Sequence, residues 1–584
     1  MGVAVQGGRA SELPRFTRRL LSGAEPVTAI GTGALGGKAA GLLGAREWLR
    51  QALPDDLSHL SVSIPRMVVI ATDLFDAFVE RNRLLRVAGR DERAVARAFV
   101  SAPLPVEIAG DLWDLVREVR VPLAIRSSSL LEDALAHPFA GVYTTKMIPN
   151  HAPDPERRFR VLAEAIKLVW ASALFPSATT YVRAAGREPA EEKMAVIVQE
   201  VVGRRHGPRF YPDVSAVARS WNFYPQGAAR REEGVVDLAL GLGKTIVDGG
   251  RCWTYSPAHP HAPAPFGSPH ELLEHTQTAF WTVNMGPPPP YDPLSEVEHL
   301  TRCGLAEGER DMTLRHTCST YDARSDRLVP GTGPAGPRAL TFAPLLDGPW
   351  WPFNESVRAL LDEAAARAGA AVEIELAATV PERTEEPLRL GFLQVRPMAS
   401  PGGEVEIGEE RLQAPGVVVA SEQALGQGVY GGLRDLVFVA PDTFDVRHTR
   451  TIAAEVRELA GALREQGRPF VLVGFGRWGS ADPWLGIPVR WEDIVGVRAL
   501  VEASFPSLSA EMSQGAHFFH NLLSFRVAYF SVPAGTGRLD WPWLQALPVR
   551  RALRFTRHAE SPVPLSVQVD GRHGRGVILR EPTA

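Results

Sequence analysis

An α/β (α+β) architecture in two parts is what this sequence predicts, and three observations carry the prediction. Short apolar runs rich in β-branched residues alternate with longer stretches of helical periodicity. The 584 residues are 45% hydrophobic and 22% charged, which is globular composition and excludes disordered, collagen-like and coiled-coil chains. A break, ASPGGE at 399–404, is followed by a fresh α/β pattern, so the expected domains are 1–398 and a smaller 405–584.

Taken in order, GGKAAGLLGAREWLRQA spaces its apolar residues as a helix over 36–52, entered from a glycine turn. Residues 67–71 read as a strand running into a helix. VPLAIRSSS predicts a buried strand over 121–126 that ends in a polar turn. One long helix is expected over 157–184 and a β-branched buried strand over 193–202. With 53 glycines and 48 prolines the chain should be rich in turns, and 256–292, with SPAHPHAPAPFGSP and GPPPPYDP, reads as an extended surface excursion. NESVRALLDEAAARAGA predicts a helix over 355–369 capped by Asn354. Strict alternation then predicts an antiparallel strand pair, 371–378 and 388–398. Past the break the pattern reads strand 434–440, helix 449–466, strand 469–474, helix 492–504, and strands near 525–533.

A net charge of −4 implies no general affinity for polyanions, so nucleic acid is not an expected partner. Three cysteines without CxxC spacing argue against a disulfide scaffold or a cysteine zinc site. The first residues lack the apolar core of a signal peptide, and no run of eighteen apolar residues occurs. A cytoplasmic protein without a membrane span is expected.

Four segments look chemical. GTGALGGKAAG, 31–41, ends in Lys38 at a helix start, where backbone N–H groups and a point charge suit a phosphate; it also reads as a loop that merely starts a helix. GLGKT, 241–245, fails the Walker A pattern because Leu238 stands at its first glycine, and taken alone it reads better as a tight turn with a solvated lysine. In AIRSSSLLEDALAHPFAGVYTT, 124–145, Arg126 follows a buried strand and can grip phosphate through its planar fork, with Glu132 and Asp133 orienting it or simply capping a helix. On the strand pair, Glu373 and Glu375 share a face, as do Gln394 and Arg396. Oxygens beside an arginine suit Mg²⁺ bridged to nucleotide phosphates; cross-strand ion pairing on a solvated face is the alternative.

In order and wording these segments resemble the nucleotide-binding domain of the phosphoenolpyruvate synthase and pyruvate phosphate dikinase family, an ATP-grasp fold. The GGK loop falls at Lys38. The R-S-S…E-D…F-A-G-x-Y…T stretch falls at Arg126, Ser127, Ser128, Glu132, Asp133, Phe139, Ala140, Gly141, Tyr143 and Thr145. V-W-A-S, V-I-V-Q, GLG and L-Q-x-R-P follow at Val169–Ser172, Val196–Gln199, Gly241–Gly243 and Leu393–Pro397. The resemblance spans about 31–398. It implies that Lys38 and Arg126 contact ATP phosphates, that Glu375 and Gln394 hold Mg²⁺, that Arg396 assists transfer, and that Gln199, Glu200 and Val202 form the adenine hinge. Lys244 replaces the usual Glu after GLG, Ala216 a usual Gly, and Glu373 a usual Asp.

The family's T-S-H-A phosphohistidine loop is absent, and the residues after 398 are too few for its barrel of about 250. A full phosphoenolpyruvate synthase is therefore not expected. His448, in HTRTIAAEV, is a degenerate echo of that loop. Gly474, Gly476 and Gly479 spell G-x-G-x-x-G, but Pro483 and Pro488 exclude the helix a dinucleotide site needs; an anion nest at Arg477 remains open. His517 and His520, at i and i+3 between phenylalanines, could bind metal or accept a phosphoryl group, or be one packed and one exposed histidine. The expected function is an ATP- and Mg²⁺-dependent phosphotransferase with a small-molecule or protein acceptor. Arg126, Arg396 and His517 are its catalytic candidates, and Arg396→Ala is expected to abolish ATP consumption without harm to folding. A ligase forming an acyl phosphate and a non-catalytic ATP sensor are the rivals.

Overall fold

The computed structural model describes residues 8–17, 26–53, 59–130, 132, 141–184, 186–263, 266–398, 405–480, 482–505, 517–535 and 537–581. The break at 399–404, and Asp133, Phe139 and Ala140 of the motif stretch, lie outside them. The chain divides into two compact units: Met1–Ile246 with Arg251–Met398, and Val247–Gly250 with Ala399–Ala584.

Two sheets organise the first unit. The five-stranded one runs in the order Val27–Ile30, Met67–Ile70, Met194–Glu200, Leu123–Ser129, Lys146–Ile148. The six-stranded one runs Trp253–Tyr255, Val235–Ala239, Val214–Arg219, Val372–Thr379, Leu388–Pro397, Leu60–Ser63. The helix Gly37–Ala52 buries Leu42, Ala45, Trp48 and Leu49 in the same core as Ile374, Leu376 and Phe392. Trp48 meets Phe392 edge-on at 5.6 Å. Apolar side chains at helical spacing on one element thus find the alternating apolar face of the other.

Several expectations need correction. The serines after Arg126 do not form a turn: Leu123–Ser129 is one strand, and Ser127, Ser128 and Ser129 are wholly buried. The long helix breaks into Pro155–Ser172 and Pro176–Ala184, because Pro176 has no N–H to continue the ladder. Together the two are long and apolar enough to cross a bilayer, although most of that stretch is buried inside the protein. The excursion 256–292 contains the helix Pro269–His275 and the strand Ala279–Asn284, whose Phe280, Thr282 and Val283 are core residues. Asn354 is not a cap; it lies within the helix Phe353–Ala368 and donates to the Pro257 carbonyl.

The second unit is built on a ten-stranded mixed sheet. Its centre is parallel, with neighbours Gln427–Val439, Phe470–Phe475, Val497–Ala503 and Ala528–Val532. The segment 492–504 is thus chiefly a strand, not a helix. Its charges at Glu492, Asp493, Arg498 and Glu502 imitate an amphipathic helix, but Glu502 is buried in the strand. The long hairpin Thr556–Asp570 and Arg575–Arg580 completes the sheet.

Candidate functional site

Strand Leu123–Ser129 organises two groups of side chains in the first unit. Side chains alternate along a strand, so Arg126 and Ser127 face opposite ways. Arg126 reaches toward the strand pair of the second sheet. Its Nη1 donates to the Leu393 carbonyl at 2.7 Å and to Gln199 Oε1 at 3.4 Å. Its Nη2 donates to Gln394 Oε1 at 2.7 Å and lies 3.5 Å from Glu375 Oε2. Glu375 and Gln394 are direct cross-strand partners, with a bulge immediately after Glu375. Four of the predicted residues are therefore brought together: Arg126, Gln199, Glu375 and Gln394. Glu375 is half-buried, whereas Gln199 and Gln394 are buried.

Lys38 belongs to the other group. It stands in the first turn of Gly37–Ala52, with Nζ 2.5 Å from Glu132 Oε1 and 3.2 Å from Ser127 Oγ. The remaining carboxyl oxygen of Glu132 accepts the Ser129 N–H at 2.8 Å. Buried Glu192 lies beside Glu132, Ser129 and Tyr143; burial pushes it up to about 7 against the pull of Ser129, and Glu132 adds to the rise. The glycine turn before Lys38 is pressed onto the same strand. Gly36 has φ +77°, and a Cβ there would stand 1.8 Å from the Ser128 carbonyl oxygen. The loop's donors at Thr32 and Gly33 go to Asp73, at 2.9 and 3.0 Å, so a carboxylate fills part of the expected anion cradle.

Arg396 does not join Arg126. It is 4% exposed, and its Nε and Nη2 donate to Glu373 Oε1 at 2.9 and 2.5 Å. Glu373 Oε2 accepts Arg219 Nε at 2.8 Å, Arg219 Nη1 donates to Asp237 Oδ2 at 2.9 Å, and Thr254 Oγ1 donates to Asp237 Oδ1 at 2.5 Å. These residues step across five neighbouring strands, Arg396, Glu373, Arg219, Asp237 and Thr254, with charges alternating in sign. Burial depresses Arg219, but the Asp237 and Glu373 carboxylates outweigh it and hold the guanidinium above its ordinary pKa. Losing Arg396 would leave the buried Glu373 carboxylate with Arg219 alone, so this geometry argues against the expectation that Arg396→Ala leaves folding intact.

The other candidates scatter. Glu200 turns to the face opposite Gln199, pairs with Arg66 at 3.2 Å, and is raised by its burial beside Leu115 and Val119. Val202 follows the strand and packs on Gly391, where a Cβ would meet Val202 Cγ2 at 2.6 Å. Lys244 begins the short helix Lys244–Val247 and is 3.7 Å from Glu296, whose other oxygen accepts the Thr145 N–H. In the second unit, His448 stacks on Phe555 at 4.9 Å. His517 and His520 open the helix His517–Ser524, with His520 buried against Phe519. No group of three or more His, Cys, Asp or Glu side chains fit to hold a metal occurs among the described residues. The G-x-G-x-x-G turn is no anion nest, because the Trp478 N–H donates to Glu502 Oε1 at 2.6 Å.

Arg219, Asp237, Glu192 and Glu502 were missed. Arg219 and Asp237 are each a lone charge in a buried apolar run, VSAVAR and VVDLAL, and that interruption is the available signal; Glu192 stands among the charges of EEK and Glu502 shares VRALVEA with Arg498, so neither stood out.

Residues 32–260 match the model of the pyruvate phosphate dikinase, AMP/ATP-binding domain, which is ATP-grasp-like. The matched segment holds Lys38, Arg126 and Gln199, and ends before Glu375, Gln394 and Arg396. The chain is also 28% identical over 193 residues to the uncharacterized phosphotransferase YvkC of Bacillus subtilis (strain 168). That match covers 33% of this chain and 21% of YvkC, so the chain spans about a fifth of the length of that relative.

Proposed function

We propose that this protein, an ATP-utilising member of the phosphotransferase type by its AMP/ATP-binding domain, transfers a phosphoryl group from Mg·ATP bound at the Arg126 cluster. The observation that supports this reading is the gathering of one guanidinium, one carboxylate and two amide side chains at the meeting of two sheets. A planar guanidinium at that place is suited to phosphate oxygens, and it supplies charge stabilisation without a proton.

Glu375 and Gln394 are hard oxygen donors facing each other across the strand pair, a donor set that fits Mg²⁺. Arg126 stands on those oxygens now; drawn to a phosphate, it would leave them to the ion. The bound ion would draw negative charge from the phosphates. The Gln199–Val202 backbone takes the adenine in this reading, and Lys38 reaches phosphate only by leaving Glu132. Arg396 acts from its ladder as a positioning group, and the acceptor is a small molecule or a protein side chain, with His517 and His448 as candidates.

Arg126→Met tests the assignment. Loss of charge-assisted bonds to phosphate should weaken ATP binding by a factor of about 10–100, read by calorimetry. Unchanged affinity removes Arg126 from the site. Incubating the unmodified protein with Mg·ATP and resolving AMP from ADP separates the reactions. AMP with an acid-labile phosphoprotein indicates a histidine acceptor, ADP with an amide product a ligase, and binding without turnover a sensor.

A further inference from the structure

In the first unit, the excursion that follows the GLGK turn brings a carboxylate back to the motif stretch. The turn is pressed onto the strand Ala279–Asn284. Gly241 has φ +81°, and a Cβ there would stand 2.6 Å from the Trp281 carbonyl oxygen, which accepts the Leu242 N–H at 3.0 Å. That strand pairs antiparallel with Leu300–Gly304, and residues 285–299 join the two. The joining loop is anchored on Lys146, which is 2% exposed. Its Nζ donates to the Ser295 carbonyl at 2.5 Å and to Glu298 Oε2 at 3.2 Å. Tyr291 adds a second tie, its hydroxyl donating to Glu164 Oε1 at 2.6 Å.

These ties hold Glu296 between two parts of the motif pattern. Its Oε1 accepts the Thr145 N–H at 3.2 Å, and its Oε2 lies 3.7 Å from Lys244 Nζ. Lys146 is the cross-strand partner of Ile125, which brings Thr145 to the level of Arg126. A backbone N–H and an ammonium group converging on one carboxylate are also the donors that a phosphate oxygen takes. Both contacts are long, and the Glu296 side chain is 43% exposed, so the carboxylate is weakly held. Lys38 and Arg126 follow the same pattern, each set on an internal carboxylate, Glu132 and Glu375. Lys244 itself stands where the resembling family has a glutamate after GLG, and here the acid comes from the excursion instead.

We propose that Glu296 is an internal stand-in for nucleotide phosphate, an autoinhibitory contact that Mg·ATP displaces so that its terminal phosphates take the Thr145 N–H and Lys244, an inference that rests on the nucleotide reading of the Arg126 cluster. Carboxylate and phosphate carry charge of the same sign, so the first must leave as the second arrives. Only the Glu296 side chain has to turn out to water. The backbone on either side stays on Lys146 through Ser295 and Glu298. Lys244 then serves as a further phosphate-binding residue.

Calorimetry of the full chain with AMP and with Mg·AMP-PNP, a non-hydrolysable ATP analogue, tests this. Glu296→Gln keeps an acceptor for the Thr145 N–H and removes the charge. It should tighten the triphosphate analogue by a factor of about 3–10 and leave AMP, which has no β- or γ-phosphate, unaffected. Lys244→Met should weaken the analogue by a factor of about 10, again without effect on AMP. An exposed glutamate is replaced in the first variant, so its fold is kept; Glu296→Ala repeats the measurement without the amide. An affinity for the analogue that is unchanged or lower in both Glu296 variants overturns the proposal, as does an equal change for AMP. Absence of analogue binding in the parent and in both Glu296 variants is a different failure, that of the nucleotide reading itself, and it removes this inference too.

Discussion

Replacing Arg396 with methionine keeps the aliphatic stem and removes the guanidinium. Glu373 Oε1 then loses both of its Arg396 donors, at 2.9 and 2.5 Å, while Oε2 keeps Arg219 at 2.8 Å. Glu373 is 1% exposed, so water does not replace what is lost. Removing one partner of a buried pair costs about 3–5 kcal/mol, and the surviving Arg219 bond places this case near about 3 kcal/mol. That corresponds to a factor of about 100 in the folding equilibrium of the first unit. Urea unfolding followed by tryptophan fluorescence measures it. Adding Glu373→Gln should restore part of the loss, because the amide carries no charge to bury and Arg219 retains Asp237. If the single variant unfolds at the parental urea concentration, or the double variant is less stable than the single, the buried ladder is not what holds these strands. Loss of ATP turnover in an Arg396 variant counts as evidence about phosphate only once this stability loss is separated from it.

Two further outcomes follow from the Lys38 group. Glu192 has a folded pKa of about 7 against an ordinary 4.5, so the folded chain holds the proton more tightly. Its contribution to stability is fullest below the ordinary value, declines as pH rises toward about 7, and is flat above it. Glu192→Gln should remove that slope and stabilise the protein above neutrality by up to about 3 kcal/mol, seen in denaturation at several pH values; an unchanged difference between variant and parent across the range would contradict the burial of this carboxyl. Gly36→Ala should cost more than about 2 kcal/mol, because the backbone is left-handed there and the methyl would strike the Ser128 carbonyl; equal melting temperatures would refute that close approach.

Much of the first unit is legible from residue order because its signals are local. The helix at Lys38, the β-branched strand ending at Glu200, and the alternating pair that carries Glu375 and Gln394 each declare themselves within about ten residues. The same reasoning fails at 492–504, where the spacing of Glu492, Asp493, Arg498 and the buried Glu502 makes a strand look like an amphipathic helix. It fails again at the serines after Arg126, whose polarity suggests a turn although all three are buried in a strand with hydrogen-bonding partners from other elements.

Residue order by itself determined the fold class, the likeness to an AMP/ATP-binding domain over 32–260 and the list of candidate polar residues, since periodicity and motif wording are properties of short segments. Tertiary structure alone decided which of them meet. Arg126 joins Gln394 from 268 positions away, while Arg396, two residues further on, turns to Glu373 and a ladder completed by Arg219 and Asp237. A charge finds its counter-charge through strand register and burial, and neither is written in the neighbourhood of any one residue.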